Sequence, residues 1–249
     1  MQLDNNPMNQ FRFYFFVLFI CLGLMPNITI TSGQDIPLEV NEILKKHYTA
    51  IGLDKKMEIK TLVSFGALSQ LGNDLQISIL QKRPSYYRMD VHLNEGRISQ
   101  GFDGKNGWML NPFVSPDTVR ITGPELNQHK ESADFDGVLV NYQNLGYILN
   151  YEAAGVWNEH PVLILKLSKK PGISLRFFLD AETYLILKTE AQYIINGLPI
   201  NAQSEFSDYK KIGGVNFPYR IINRNGQLMT EIKIDTIRIN EELDDFIFR

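Results

Sequence analysis

Leu75–Leu93 reads LQISILQKRPSYYRMDVHL, and its period is two. Leu75, Ile77 and Ile79 alternate with Asp74, Gln76 and Ser78. Tyr87, Met89, Val91 and Leu93 alternate with Tyr86, Arg88, Asp90 and His92. One face of each segment is apolar and the other wet, the pattern of a half-buried antiparallel strand. Turn chemistry follows at Asn94-Glu95-Gly96 and at Asp103-Gly104-Lys105-Asn106-Gly107, where the aspartate is placed to accept backbone hydrogens. Farther along, Leu163, Leu165 and Leu167 alternate, as do Ile173, Leu175, Phe177 and Leu179 with Ser174, Arg176, Phe178 and Asp180. Segments 184–195, 200–209, 215–222 and 228–239 complete a meander with a turn at Asn225-Gly226, about ten strands in all.

Helical signals stand at the start and in the middle. Asp35 to Ile51 places Ile36, Val40, Ile43, Leu44, His47 and Ile51 on one face before Gly52. Thr122-Gly123-Pro124-Glu125 fits a capping box leading a polar helix to about Ala133. Phe135–Leu149 reads as a second helix-or-loop region. The expected fold is α+β and mainly antiparallel β: a strongly curved, incomplete barrel with helices closing its apolar face. Periodicity leaves open whether that interior is a filled core or a cavity.

The chain has 249 residues, 44% of them apolar and 21% charged, with a net charge of -3. No positive excess exists to neutralise a phosphate backbone, so nucleic acid is not an expected partner. The apolar run Phe13–Met25, with Arg12 before it and Pro26 after, has the length of an export-signal core rather than of a membrane span. Thr31, Ser32 and Gly33 offer a cleavage point. The expectation is a leader over 1–33 and one domain over 34–249. Cys21, the single cysteine, falls in the leader, so no disulfide or thiolate zinc site is expected.

The four histidines, His47, His92, His129 and His160, show no metal-binding spacing, and no nucleophile elbow or phosphate loop occurs. Asp134-x-Asp136-Gly137 lacks the remaining ligands of a calcium loop and reads as a turn. Asp244 and Asp245 read as wet surface. The expectation is a non-enzyme without cofactor or metal.

Several short patterns then occur in order: Lys82-Arg83-Pro84, Tyr87 and Met89, Asp103-Gly104-Lys105, Trp108, and Asn111-Pro112-Phe113-Val114. Gly213-Gly214-Val215-x-Phe217-Pro218 and Ile239-Asn240 close the chain. This combination resembles the LolA-like family of periplasmic outer-membrane lipoprotein carriers and lipoprotein-sorting proteins. The resemblance implies helices acting as a lid over a hydrophobic cavity that takes acyl chains. It implies acylated lipoproteins as cargo, an inner-membrane releasing transporter, an outer-membrane acceptor and a monomeric carrier in the periplasm of a Gram-negative bacterium. It assigns Arg83 as the lid latch, gripping lid carbonyls, and gives Leu75, Ile77, Ile79, Tyr87, Met89, Val91, Trp108, Leu175 and Phe177 as candidate lining. Tyr87 and Met89 admit plain core packing as well, and Trp108 fits packing a strand against the lid better than touching cargo. A lipid- or lipoprotein-sensing regulatory domain would use the same fold.

Overall fold

The structure is a computed structural model that describes residues 40–169, 172–195 and 198–249. The expected leader, Cys21 and the first turn of the expected opening helix lie outside them.

Thirteen strands make one continuous sheet, with all paired neighbours antiparallel. They are β1 (Thr61–Gln70), β2 (Asn73–Lys82), β3 (Tyr86–Leu93), β4 (Gly96–Asp103), β5 (Gly107–Leu110), β6 (Val119–Ile121) and β7 (Ile148–Trp157), followed by β8 (His160–Lys169), β9 (Ile173–Asp180), β10 (Ile186–Ile195), β11 (Leu198–Ile212), β12 (Val215–Asn225) and β13 (Leu228–Ile239). The spatial order runs β6-β5-β4-β3-β2-β1-β13-β12-β11-β10-β9-β8-β7. The first and last strands therefore meet at the centre, and β6 and β7 are unpaired edges of an open sheet.

The expected count of about ten strands is corrected to thirteen. β7 lies partly in the stretch read as helix or loop, because Ala153-Ala154-Gly155 gives its middle no apolar alternation. β5 and β6 are four and three residues long, too short for a period to show.

Among the described residues four helices accompany the sheet: α1 (Val40–Ile51), α2 (Leu53–Glu58), α3 (Gly123–Ser132) and α4 (Val138–Asn141), with a 3-10 turn at Asp245–Phe248. Among the described residues no helix is long and apolar enough to cross a membrane. α1 buries Ile43, Leu44 and His47 against Leu163, Leu165, Leu167, Phe177 and Leu179 of β8 and β9. Gly52, at φ 73°, joins α1 to α2 directly over the Gly213-Gly214 turn. A Cβ there would strike the Gly214 carbonyl, which explains the small residues on both sides of the contact.

The expected capping box at α3 does not form, since Thr122 makes no side-chain cap. Gly123 adopts a left-handed φ of 65° and Pro124 removes the N2 donor, so only the Glu125 N–H is left for the hydroxyl, and that bond does not form. Of 135–149, only Val138–Asn141 is helical, and Ile148 already belongs to β7.

The sheet curls tightly. α3 packs on β3, where the His129 and Tyr87 rings meet edge to face at 6.3 Å. The same helix reaches β10, where the Tyr193 hydroxyl lies 3.5 Å from Glu131. β3 and β10 stand six places apart in the sheet, about 29 Å if it were flat. Only a strongly curved sheet with α3 on its concave side satisfies both contacts.

Candidate functional site

Cross-strand register arranges the inner face in rows. Under α3 lie Gln81, Tyr87 and Phe102; then Ile79, Met89 and Gln100; then Ile77, Val91 and Ile98. Leu75 and Leu93 continue the same face toward the uncovered end. Eight of the nine expected lining residues share this inner face, in two separate groups. Leu75, Ile77, Ile79, Tyr87, Met89 and Val91 form the first. Leu175 and Phe177 belong to the second, which packs under α1 and α4.

Trp108 does not join them. It pairs with Gly101, which pairs with Arg88, and all three sit on the convex face. A Cβ on Gly101 would lie 2.8 Å from the indole, so the glycine makes room for the ring. The Trp108 indole N–H donates to the Phe248 carbonyl at 2.6 Å, and Arg88 donates to the Ile247 carbonyl at 2.6 Å. The C-terminal turn thus covers this outer patch, and Phe248 is fully buried. Asp244 and Asp245 lie at the surface, as expected, and also hold the tail. Asp244 caps Phe246 N–H, and Asp245 pairs with Lys82 at 2.6 Å.

The interior is tighter than an open chamber. Ile77, Val91 and Ile98 are 2–4% exposed, whereas Leu68, Leu75, Ile221 and Ile232 toward the uncovered end are half-buried. Two hollows, about 480 and 440 Å³, lie elsewhere: beside α1 with Lys46 and Tyr184, and beside Asp208 and Lys233. Neither is the expected apolar cavity. Leu75, Ile79, Met89 and Leu175 keep part of their surface exposed, so the inner face is packed at Ile77, Val91 and Ile98 and open beyond them.

The lid is held at one corner. Arg83 donates to both Asp136 oxygens, at 2.6 and 2.5 Å, and also to the Ile59 carbonyl at 2.8 Å and the Lys56 carbonyl at 3.1 Å. Its guanidinium stacks 4.4 Å from the Phe135 ring centroid. Arg83, the expected latch, thus meets a carboxylate of the segment after α3, and the carbonyls it grips belong to the α2–β1 junction. Lys56 adds a bond to the Asp136 carbonyl at 3.2 Å, and burial lowers its pKa despite the nearby aspartates. Asp134 forms the expected turn, accepting from Asp136 N, Gly137 N and the Asn141 amide.

Sequence reasoning missed Asp136 because the turn reading absorbed both aspartates. Only the pairing of Arg83 with a lid carboxylate separates their roles. It also missed Gln81, whose amide donates to the Ser132 carbonyl at 2.8 Å and ties β2 to the end of α3. Apart from these polar ties, α3 has a small apolar footprint: Leu126 and Ala133 join Tyr87, Phe102, Ile79 and Met89. Burial pushes the Tyr87 hydroxyl pKa up to about 12. Glu131, flanked by α3 and β10, is raised above the ordinary carboxylate range by restricted hydration. Among the described residues no group of three His, Cys, Asp or Glu side chains is placed to hold a metal ion.

No family model matches the chain, and no curated protein matches it. Solved structures do match in fold. A LolA superfamily protein from Nitrosomonas europaea is 16% identical with a TM-score of 0.57, covering 85% of this chain and 98% of its own. An outer membrane lipoprotein-sorting protein domain from Vibrio parahaemolyticus is 15% identical with a TM-score of 0.54, covering 80% and 95%. A DUF1329 family protein from Desulfovibrio piger is 14% identical with a TM-score of 0.59, covering 83% and 97%. The chain has a LolA-like fold.

Proposed function

We propose that this chain is an exported, non-enzymatic carrier that shields lipoprotein acyl chains while they cross the periplasm of a Gram-negative bacterium. The observation that carries this reading is the mismatch between interior and lid. The curved sheet presents rows of aliphatic side chains, yet among the described residues α3 and its C-cap cover them with Leu126, Ala133 and the His129 ring, and the polar ties are Gln81–Ser132 and, just past the helix, Arg83–Asp136. A lid built this way detaches at modest cost, because the polar groups it frees find water. Each acyl CH₂ withdrawn from water gains about 0.8 kcal/mol, enough for a chain of a dozen carbons to hold the inner rows apart. The cavity is thus created by the cargo instead of standing ready. An inner-membrane transporter would load the carrier, and an outer-membrane acceptor would empty it.

The test is extraction. Purified protein is incubated with vesicles bearing an acylated lipoprotein, and the vesicles are then sedimented. The reading predicts lipoprotein in the supernatant in a one-to-one complex. Lipoprotein that stays wholly with the vesicles contradicts it.

A further inference from the structure

His129 holds an unused hydrogen-bonding atom. Its Nδ1 lies 2.9 Å from the Glu125 carbonyl, which can only accept, so Nδ1 carries the hydrogen. In the neutral ring Nε2 is then a bare acceptor. The residue is 7% exposed, and Nε2 has no hydrogen-bond partner among the described residues. Nδ1 faces back along α3, so Nε2 projects away from that helix backbone. The ring meets Tyr87 on the inner face of the sheet. Gln100 stands in the adjacent row, where its amide meets the Met89 sulfur at 3.9 Å and its side chain also bonds the Tyr87 hydroxyl. A buried acceptor without a donor is costly, and other buried positions on this lid are paired.

We infer that His129 Nε2 is a polar subsite for the cargo, accepting a hydrogen bond from an N–H group bonded directly to the acyl chain. The ligand class is an N-acyl amide, in preference to an ester of the same length. The inference rests on the carrier reading, since the chain must enter beneath α3 to bring its amide to Nε2. An ester has the same shape and lacks the donor, so it leaves Nε2 unsatisfied.

The experiment compares N-dodecanoylglycine methyl ester with its depsi analogue, in which oxygen replaces the amide N–H. Calorimetry gives the ratio of the two affinities for the wild-type chain, His129→Leu and His129→Gln. The expected result is a wild-type ratio about fivefold more favourable to the amide than that of His129→Leu, the worth of one hydrogen bond. His129→Gln, which keeps an acceptor, restores most of it and serves alone if the leucine variant does not fold. Equal ratios in all three proteins overturn the subsite while leaving acyl binding intact; that is the outcome if a buried water alone satisfies Nε2. Binding of neither probe to wild type overturns the carrier reading and the subsite with it.

Discussion

Arg83 and Asp136 are 24% and 10% exposed at their side chains, so their bidentate bond sits largely out of water. Removing the guanidinium leaves a mostly buried carboxylate with the Lys56 ammonium, itself bonded to the Asp136 carbonyl, as its nearest cation. Arg83→Leu should cost about 3 kcal/mol of stability. It should also speed hydrogen exchange across residues 134–141 far more than across β8; unchanged protection in that segment would show that Arg83 does not latch the lid. His47 offers a pH handle at the other helix. Burial lowers its pKa below the ordinary 6.5, while its bond to the Tyr184 carbonyl partly offsets this. The unfolded chain then binds the proton more readily than the folded one, so stability is complete above about pH 6.5 and declines as pH falls toward the folded value. Denaturant melts between pH 7.5 and 5 should show this decline in wild type and a shallower one in His47→Gln. Parallel slopes would mean that His47 titrates alike in both states.

At the scale of elements, the tail and the bulges explain what the sequence left unread. Alternation made β2, β3, β8 and β9 legible, because each has a continuous apolar side. It could not say which face of β5 Trp108 occupies: four residues carry no period, and only the pairing through Gly101 to Arg88 puts the ring outside. A register shift between Ile186 and Lys188 likewise turns Lys188 outward, against Phe178 and Trp157 and 2.8 Å from Glu190, where it is fully buried. No spacing rule announces a buried lysine on a wet-looking strand. The C-terminal turn was hidden for a related reason, since six residues with two aspartates look like a solvated end until Phe248 is seen beneath Tyr86 and Trp108. Phe248→Ala should cost about 3–5 kcal/mol, as large core truncations do. In a Trp157→Phe background it should shift Trp108 emission to the red; unshifted emission would mean the tail does not shield the indole.

For the molecule as a whole, the curved open sheet could be read from the chain, but the state of the interior could not. Leu75, Ile79 and Met89 look the same in sequence whether they line a void or touch one another, because period two records a face and not what fills it. In this fold all three are half-buried and Ile79 and Met89 pack under α3, so the carrier account depends on α3 moving off the inner rows. Gln81 and Ser132 face each other across that boundary, with the Gln81 amide on the Ser132 carbonyl. Replacing both with cysteine, in a Cys21→Ser background, and joining them with a disulfide-containing bis-maleimide linker places a reducible bolt between β2 and α3. Binding of N-dodecanoylglycine methyl ester should be lost when the bolt is oxidised and return on reduction. Equal binding by the bolted and unbolted protein would show that no acyl chain enters beneath α3.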